Sequence, residues 1–401
     1  MKRVLIAVLL FIGVIVFPFA LDFGAVLSGQ LDIEGAGDID VKYKAVLAPW
    51  LSSPIGEGDF FLSLGLNANN GNLGDKFALV PELYRLDFSF KLHPSLTLRI
   101  GRIPWQDTSR FTFKGNFDGL DLLLDLGKVR LGFSGFYTGF LFKDTVEINA
   151  TAGDPVDYTS DFEWKNFGDS YFAPRRIVAS LYGEFPSLLA LRGSFYAGLM
   201  AQFDLSGADE RYHTQYLLLR YAQIYKRFDF AAGGALGLEY TKADNVKIAF
   251  AFNLEGGWQP RVPIFLKDRL SLTVRYASGS GPHTAAYFPI VRETMGLAIK
   301  PVFSGMMVIR ARYEARFIPS LSAELGCRYF IRTDSITFKD PDLEDESYAV
   351  GLEVDGSLIW VPLSDISVKL AGGIFLPQTG GAYRSGAPVH CTISLGAIFS
   401  F

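Results

Sequence analysis

Apolar and polar residues alternate along most of this chain with a period of two, and its C-terminal end shows the pattern most plainly. From His390 to Phe401 the odd positions are Cys391, Ile393, Leu395, Ala397, Phe399 and Phe401. The even positions between them are Thr392, Ser394, Gly396, Ile398 and Ser400, small or polar apart from Ile398. A period of two puts one set on each face of a β-strand. Segment 21–34 repeats the pattern, with Leu21, Phe23, Ala25, Leu27, Gly29, Leu31 and Ile33 against Asp22, Ser28, Gln30, Asp32 and Glu34. Further strands are predicted at 39–51, 60–69, 84–92, 96–101, 189–203, 228–241, 246–255, 321–331, 348–360 and 366–377. One alternating stretch is weak evidence, whereas a long series predicts a large antiparallel β-protein.

The connections supply an independent test. Short turns fall at 93–95, 127–128, 186–187, 226–227, 318–320 and 362–364, and long polar loops at 103–118, 143–173, 204–213, 278–291, 333–347 and 377–389. Membrane barrels with up-and-down topology have short periplasmic turns and longer extracellular loops. Both termini then fall on the periplasmic side, which demands an even strand number. Roughly nineteen candidate strands can be counted, and the doubtful region is 293–317, interrupted by Pro301 and Gly305. Read as a single crossing, it leaves about 18 strands, with about 16 as the alternative. The expected fold class is all-β: a single transmembrane antiparallel up-and-down barrel over residues 21–401, closed by pairing 390–401 with 21–34.

The N-terminus fits an exported protein. A short basic start, Met1 to Arg3, precedes an apolar run from Val4 to Phe17 and the sequence Pro18-Phe19-Ala20. This is read as a signal peptide of residues 1–20, cleaved after Ala20. Beyond residue 20 no apolar stretch reaches the length of a spanning helix. Yet 49% of residues are hydrophobic, 14% aromatic and only 20% charged. Aromatic residues gather near predicted strand ends, among them Trp50, Tyr84, Tyr225, Phe228, Trp258, Tyr348 and Trp360, as they do at membrane interfaces. The expected partners are therefore outer-membrane lipids. A net charge of −4 gives no reason to expect nucleic-acid binding. Cys327 and Cys391 fall on apolar strand faces and are expected as free thiols. The four histidines have no metal-site spacing, and no cofactor is expected.

The other face of each strand carries the candidate chemistry. The lumen-facing residues predicted to line a pore are Arg99, Arg192, Arg220, Arg275, Arg310, Arg312 and Arg328, with Asp87, Glu314, Glu324, Glu353 and Asp355. So much charge in a dry interior is very costly, so the lumen is read as water-filled. Five of the arginines, Arg220, Arg275, Arg310, Arg312 and Arg328, form a candidate basic ladder, and charge rings set ion preference. The alternative is that they pair with acids on neighbouring strands. Loop 143–173 is long and carries Phe162, Trp164, Phe167, Tyr171 and Phe172, which suits an infolded constriction. Loop 333–347 is acidic and is read as solvated. Catalysis is not expected: Asp209 and His213 are the one close acid–histidine pair in a loop, and no nucleophile stands beside them.

Residues 96–126 read LTLRIGRIPWQDTSRFTFKGNFDGLDLLLDL. Gly101-Arg102 closes one strand and Phe117-Asp118-Gly119 opens the next. This segment resembles porin-like and alginate-export-like bacterial outer-membrane barrels, in which Arg and Asp of such a motif pair near the pore mouth. The terminal strand ending in Phe401 resembles the signature that outer-membrane assembly machinery recognises. The resemblance implies a porin passing small polar solutes, with a polysaccharide or anion exporter of the alginate-export type as alternative. A non-conducting surface-binding barrel is a third reading. Strands begin at Leu21, immediately after the signal, which argues against a plugged, energised receptor.

Overall fold

The computed structural model describes residues 21–70, 78–151, 154, 162–188, 193–206, 211–241, 246–344 and 347–401. The predicted signal segment 1–20, Arg192 and Asp209 lie outside them. Eighteen strands form one sheet. They are β1 (Asp22–Gly35), β2 (Ile39–Ile55), β3 (Gly58–Asn70), β4 (Ala78–His93), β5 (Leu96–Gln106) and β6 (Lys114–Asp125). Next come β7 (Arg130–Tyr137), β8 (Arg176–Leu188), β9 (Gly193–Asp204), β10 (Tyr212–Tyr225), β11 (Phe228–Thr241) and β12 (Lys247–Trp258). The last six are β13 (Lys267–Ala277), β14 (Met306–Ile318), β15 (Leu321–Arg332), β16 (Ala349–Leu363), β17 (Ile366–Leu376) and β18 (His390–Ser400).

Every strand pairs antiparallel with its sequence neighbours, and β1 pairs with both β2 and β18, closing the barrel. At that seam Leu27 stands opposite Phe399, Leu31 opposite Leu395 and Ile33 opposite Ile393. All six side chains are exposed on the outer surface. Alternation thus holds on both strands and in register, because a one-residue slip would turn the apolar set inward. Cys327 and Cys391 are free thiols on the same outer surface.

The interior is apolar on the loop side. Inward-facing Tyr216, Leu218, Ala249, Ala251, Met306, Val308, Phe330 and Phe375 are buried against loop residues that include Phe111, Phe113, Val146, Ile148, Tyr287, Ile290 and Phe303. The loops therefore fold into the barrel, and their apolar residues answer apolar inward positions in the upper wall.

Several sequence expectations change in detail. The connection expected over 103–118 shrinks to 107–113, because Ile103 and Phe117 are inward strand residues buried in that interior cluster. Asp118 and Gly119 consequently lie within β6. The segment 293–317 does supply one strand, but only from Met306; residues 278–305 form one long infolded loop. Loop 333–347 is not simply solvated. Asp334 is buried, Phe338 packs on the interior cluster, and Leu343 bridges to Tyr383.

Candidate pore constriction

The constriction starts from a buried carboxylate. Asp107, at the end of β5, accepts N–H bonds from Ser109 (2.7 Å) and Arg110 (2.9 Å) on one oxygen, and from Thr112 (3.0 Å) and Phe113 (2.7 Å) on the other. Burial pushes this carboxyl above its ordinary value, against the pull of the Ser109 hydroxyl and the surrounding N–H groups. The turn it organises gives Arg110 a positive φ of 73° and directs Phe111 and Phe113 into the interior cluster.

Loop 278–305 meets this turn. The Thr112 and Tyr287 hydroxyls lie 2.7 Å apart, and the Ile290 N–H donates to the Thr112 carbonyl at 2.9 Å. Burial raises the Tyr287 phenol well above its ordinary value, so it remains neutral there. Further along, the N–H groups of Leu297, Ala298 and Ile299 converge on the Glu353 carboxylate at 2.9, 2.9 and 3.1 Å. Loop 138–175 supports both from behind. Ile148 bridges to Val291, and the Asn149 N–H donates to the Ile290 carbonyl at 3.0 Å. A buried triad, in which Arg176 binds Asp154 and Asp204, fastens this loop to the wall.

A cavity of about 370 Å³ opens beneath these loops. Arg220, Arg275, Arg310, Arg312 and Arg328 line it from the wall, and Arg110 and Glu293 from the loops. All five ladder arginines thus share one space. Four of them are paired. Arg275 binds Glu293 at 3.0 Å and lies over the Phe303 ring. Arg310 binds Glu324 and, at 3.3 Å, Asp355. Arg312 reaches Glu314 at 3.5 Å. Arg328 binds Glu353 at 2.5 Å and Asp355 at 3.2 Å. Among the described residues no carboxylate pairs with Arg220 or Arg110. Arg220 instead lies over the Tyr196 ring at 5.6 Å.

Other candidates stand apart from this cavity. Arg99 and Arg85 share Asp87, each at 2.7 Å, on the β4–β5 wall. The motif of Gly101, Arg102, Asp118 and Gly119 is a cross-strand pair of pairs, Gly101 opposite Gly119 and Arg102 opposite Asp118. Arg102 grips both Asp118 oxygens, at 2.7 and 2.6 Å, and donates to the carbonyls of Leu83 (2.5 Å) and Phe140 (3.2 Å). It bolts the wall to the start of loop 138–175. A Cβ on Gly119 would overlap the Gly135 carbonyl, and one on Gly101 the Leu86 carbonyl. Loop 143–173 does send Val146 and Ile148 into the interior cluster, but the segments bordering the arginine cavity are 109–111 and 293–296. Sequence reasoning missed Arg110, Glu293 and the organising Asp107. The one local signal was Asp107-Thr108-Ser109, a polar run suited to a side-chain-capped turn.

Fold and constriction together define an 18-stranded up-and-down barrel narrowed by infolded loops. No family model matches the sequence, and no curated protein matches it. Solved structures do. Pseudomonas aeruginosa OprD is 11% identical, with a TM-score of 0.60 and 95% of each chain covered. Pseudomonas aeruginosa OccK11 (OpdR) is 12% identical, with a TM-score of 0.57 over 95% of this chain and 96% of that one. Pseudomonas aeruginosa OccK2 (OpdF), solved in complex with glucuronate, is 12% identical, with a TM-score of 0.58 over 95% and 98%. At such identities the likeness is one of fold.

Proposed function

We propose that this chain is a bacterial outer-membrane porin, a water-filled channel through which small polar solutes diffuse passively, with anions favoured at the constriction. A closed barrel with an apolar outer belt satisfies its backbone groups internally, as a span of lipid requires. The side with short turns, which carries both termini, is read as periplasmic, and the strand ending at Phe401 as the element the assembly machinery handles. The channel itself performs no chemistry.

The observation that carries the reading is the arginine cavity in the constriction. Eight charged groups lining one space, Glu255 among them, are incompatible with a dry plug. Arg110 and Arg220 have no carboxylate partner among the described residues, so a permeating anion can take that place. A carboxylate on a small solute fits, and the similar OccK2 (OpdF) structure holds glucuronate. Recording from purified protein in planar bilayers tests the proposal. A stable open conductance, with a reversal potential displaced toward anions in a salt gradient, is the expected result. Absence of conductance from correctly folded barrels would overturn it in favour of the surface-binding reading.

A further inference from the structure

One connection on the terminal side departs from all its neighbours. The other described turns there between successive strands are two to four residues long, while β12 and β13 are joined by residues 259–266. The sequence Gln259-Pro-Arg-Val-Pro-Ile-Phe-Leu266 is apolar apart from its first residue and Arg261. Val262 is 80% exposed and Ile264 81% exposed, unusual for aliphatic side chains in a turn that stands in water.

The turn is built rather than slack. Ile264 and Phe265 both donate backbone N–H groups to the Asp268 carboxylate. Gln259 donates to the Arg227 carbonyl and Leu266 to the Arg316 carbonyl, each at 2.9 Å. Phe265 meets Phe317 edge to face at 4.5 Å. Position decides its surroundings. Arg269, Ser271, Thr273 and Arg275 face inward on β13, so Asp268 has outward parity, as has Tyr313, whose hydroxyl donates to Asp268 at 3.0 Å. Satisfying Asp268 draws the turn back over the outer surface of the barrel.

Around it lies an exposed aromatic band of Tyr225, Phe228 and Trp258, the residues that settle at a headgroup boundary. Beyond the band stand three exposed cations, Lys226, Arg227 and Arg261. The nearby acids are already engaged: Asp229, Glu255 and Glu314 all bind Arg269, and Asp268 is held as described.

We propose that the 259–266 turn, with Lys226, Arg227 and Arg261, is a binding site for anionic phospholipid at the terminal rim of the barrel. Val262 and Ile264 enter the acyl boundary while the cations meet the phosphate. Apolar insertion and basic residues near the surface act together in such sites. The inference rests on the membrane reading above. A failure of that reading shows separately, as barrels that do not enter a bilayer at all.

The test uses the full chain with Cys327→Ala and Cys391→Ala, carrying Val262→Cys labelled with a small fluorophore. It is placed in nanodiscs of phosphatidylglycerol or of phosphatidylcholine, each with brominated acyl chains. The expected result is quenching by the brominated chains at least about twofold stronger than by aqueous iodide. Quenching is also expected to be stronger in phosphatidylglycerol, with that preference removed by Arg227→Gln and Arg261→Gln together. Quenching by iodide alone would overturn the site and leave the turn to a protein partner. Equal quenching in the two lipids would overturn the recognition of anionic phospholipid.

Discussion

Replacing Glu353 by glutamine should release the constriction loop without unfolding the barrel. Glu353 is wholly buried, and its two oxygens collect three loop N–H groups and the Arg328 guanidinium. A hydrogen bond to a charged group contributes about 1.5–3 kcal/mol. Glutamine keeps one acceptor and turns an NH2 group toward donors it cannot serve. Breaking a buried pair from one side costs about 3–5 kcal/mol. Arg328 keeps Asp355 at 3.2 Å, which places the loss near the lower end, about 3 kcal/mol. At about 1.4 kcal/mol per decade, local opening of residues 296–300 should rise by roughly two orders of magnitude. The rest of loop 278–305 stays fixed by Thr112, Asn149 and the Lys114–Glu293 bridge at 2.7 Å. Hydrogen exchange at the amides of 297–299 should accelerate by that factor. Open-channel noise should increase, because Met295 and Gly296 border the cavity. Unchanged exchange at these amides, in barrels with normal heat-modifiable migration, would refute the assignment of Glu353 as the anchor of the loop.

Other expectations follow from single contacts. Arg220→Ala and Arg110→Ala should each weaken anion preference about fivefold or less, since one charge at about 4 Å in water amounts to about 1 kcal/mol; reversal potentials in a salt gradient measure this. Gly119→Ala should block assembly of the β6–β7 pairing, because its Cβ would overlap the Gly135 carbonyl, and the variant should lose heat-modifiable migration. Asp334 opposes its own burial with bonds from the Thr337 hydroxyl and from the N–H groups of Thr337, Ser280 and Ile336, which hold its carboxyl below the ordinary value. A depressed carboxylate stabilises above its unfolded value and loses that contribution as pH falls through the folded one. Loop fluctuations in single-channel traces should therefore grow only below about pH 4, and Asp334→Asn should show them at neutral pH. Cys327 and Cys391, exposed on the outer surface, should react with lipid-soluble maleimides and resist charged ones in membranes.

The barrel was legible because period-two alternation reports which face a residue takes, and closure needs nothing more than that pattern and an even count. That Leu27 and Phe399 share the outer face, and Arg310 and Arg328 the inner one, follows from it; which residue stands opposite which does not. Alternation carries no information about height along the strand. Arg99 and Arg220 therefore looked equivalent, although the first lies beside Asp87 and the second lines the arginine cavity. Loop placement was harder still, because its determinants are distant in sequence. Thr112 meets Tyr287 across 175 residues, and Leu297 meets Glu353 across 56. Neither partner carries a local mark of the other. Pro301 and Gly305 do mark a break, and the break proved to be the C-terminal end of the infolded loop 278–305. Arg110 shows the limit most clearly. It sits in a turn, where alternation assigns no face, and its direction comes from a buried carboxylate three residues earlier. The two arginines left without a carboxylate come from these two different sources, one from the periodic wall and one from an aperiodic loop. In the proposed channel a solute passing between wall and loop would meet both, so selectivity would rest on a relation that neither element specifies alone.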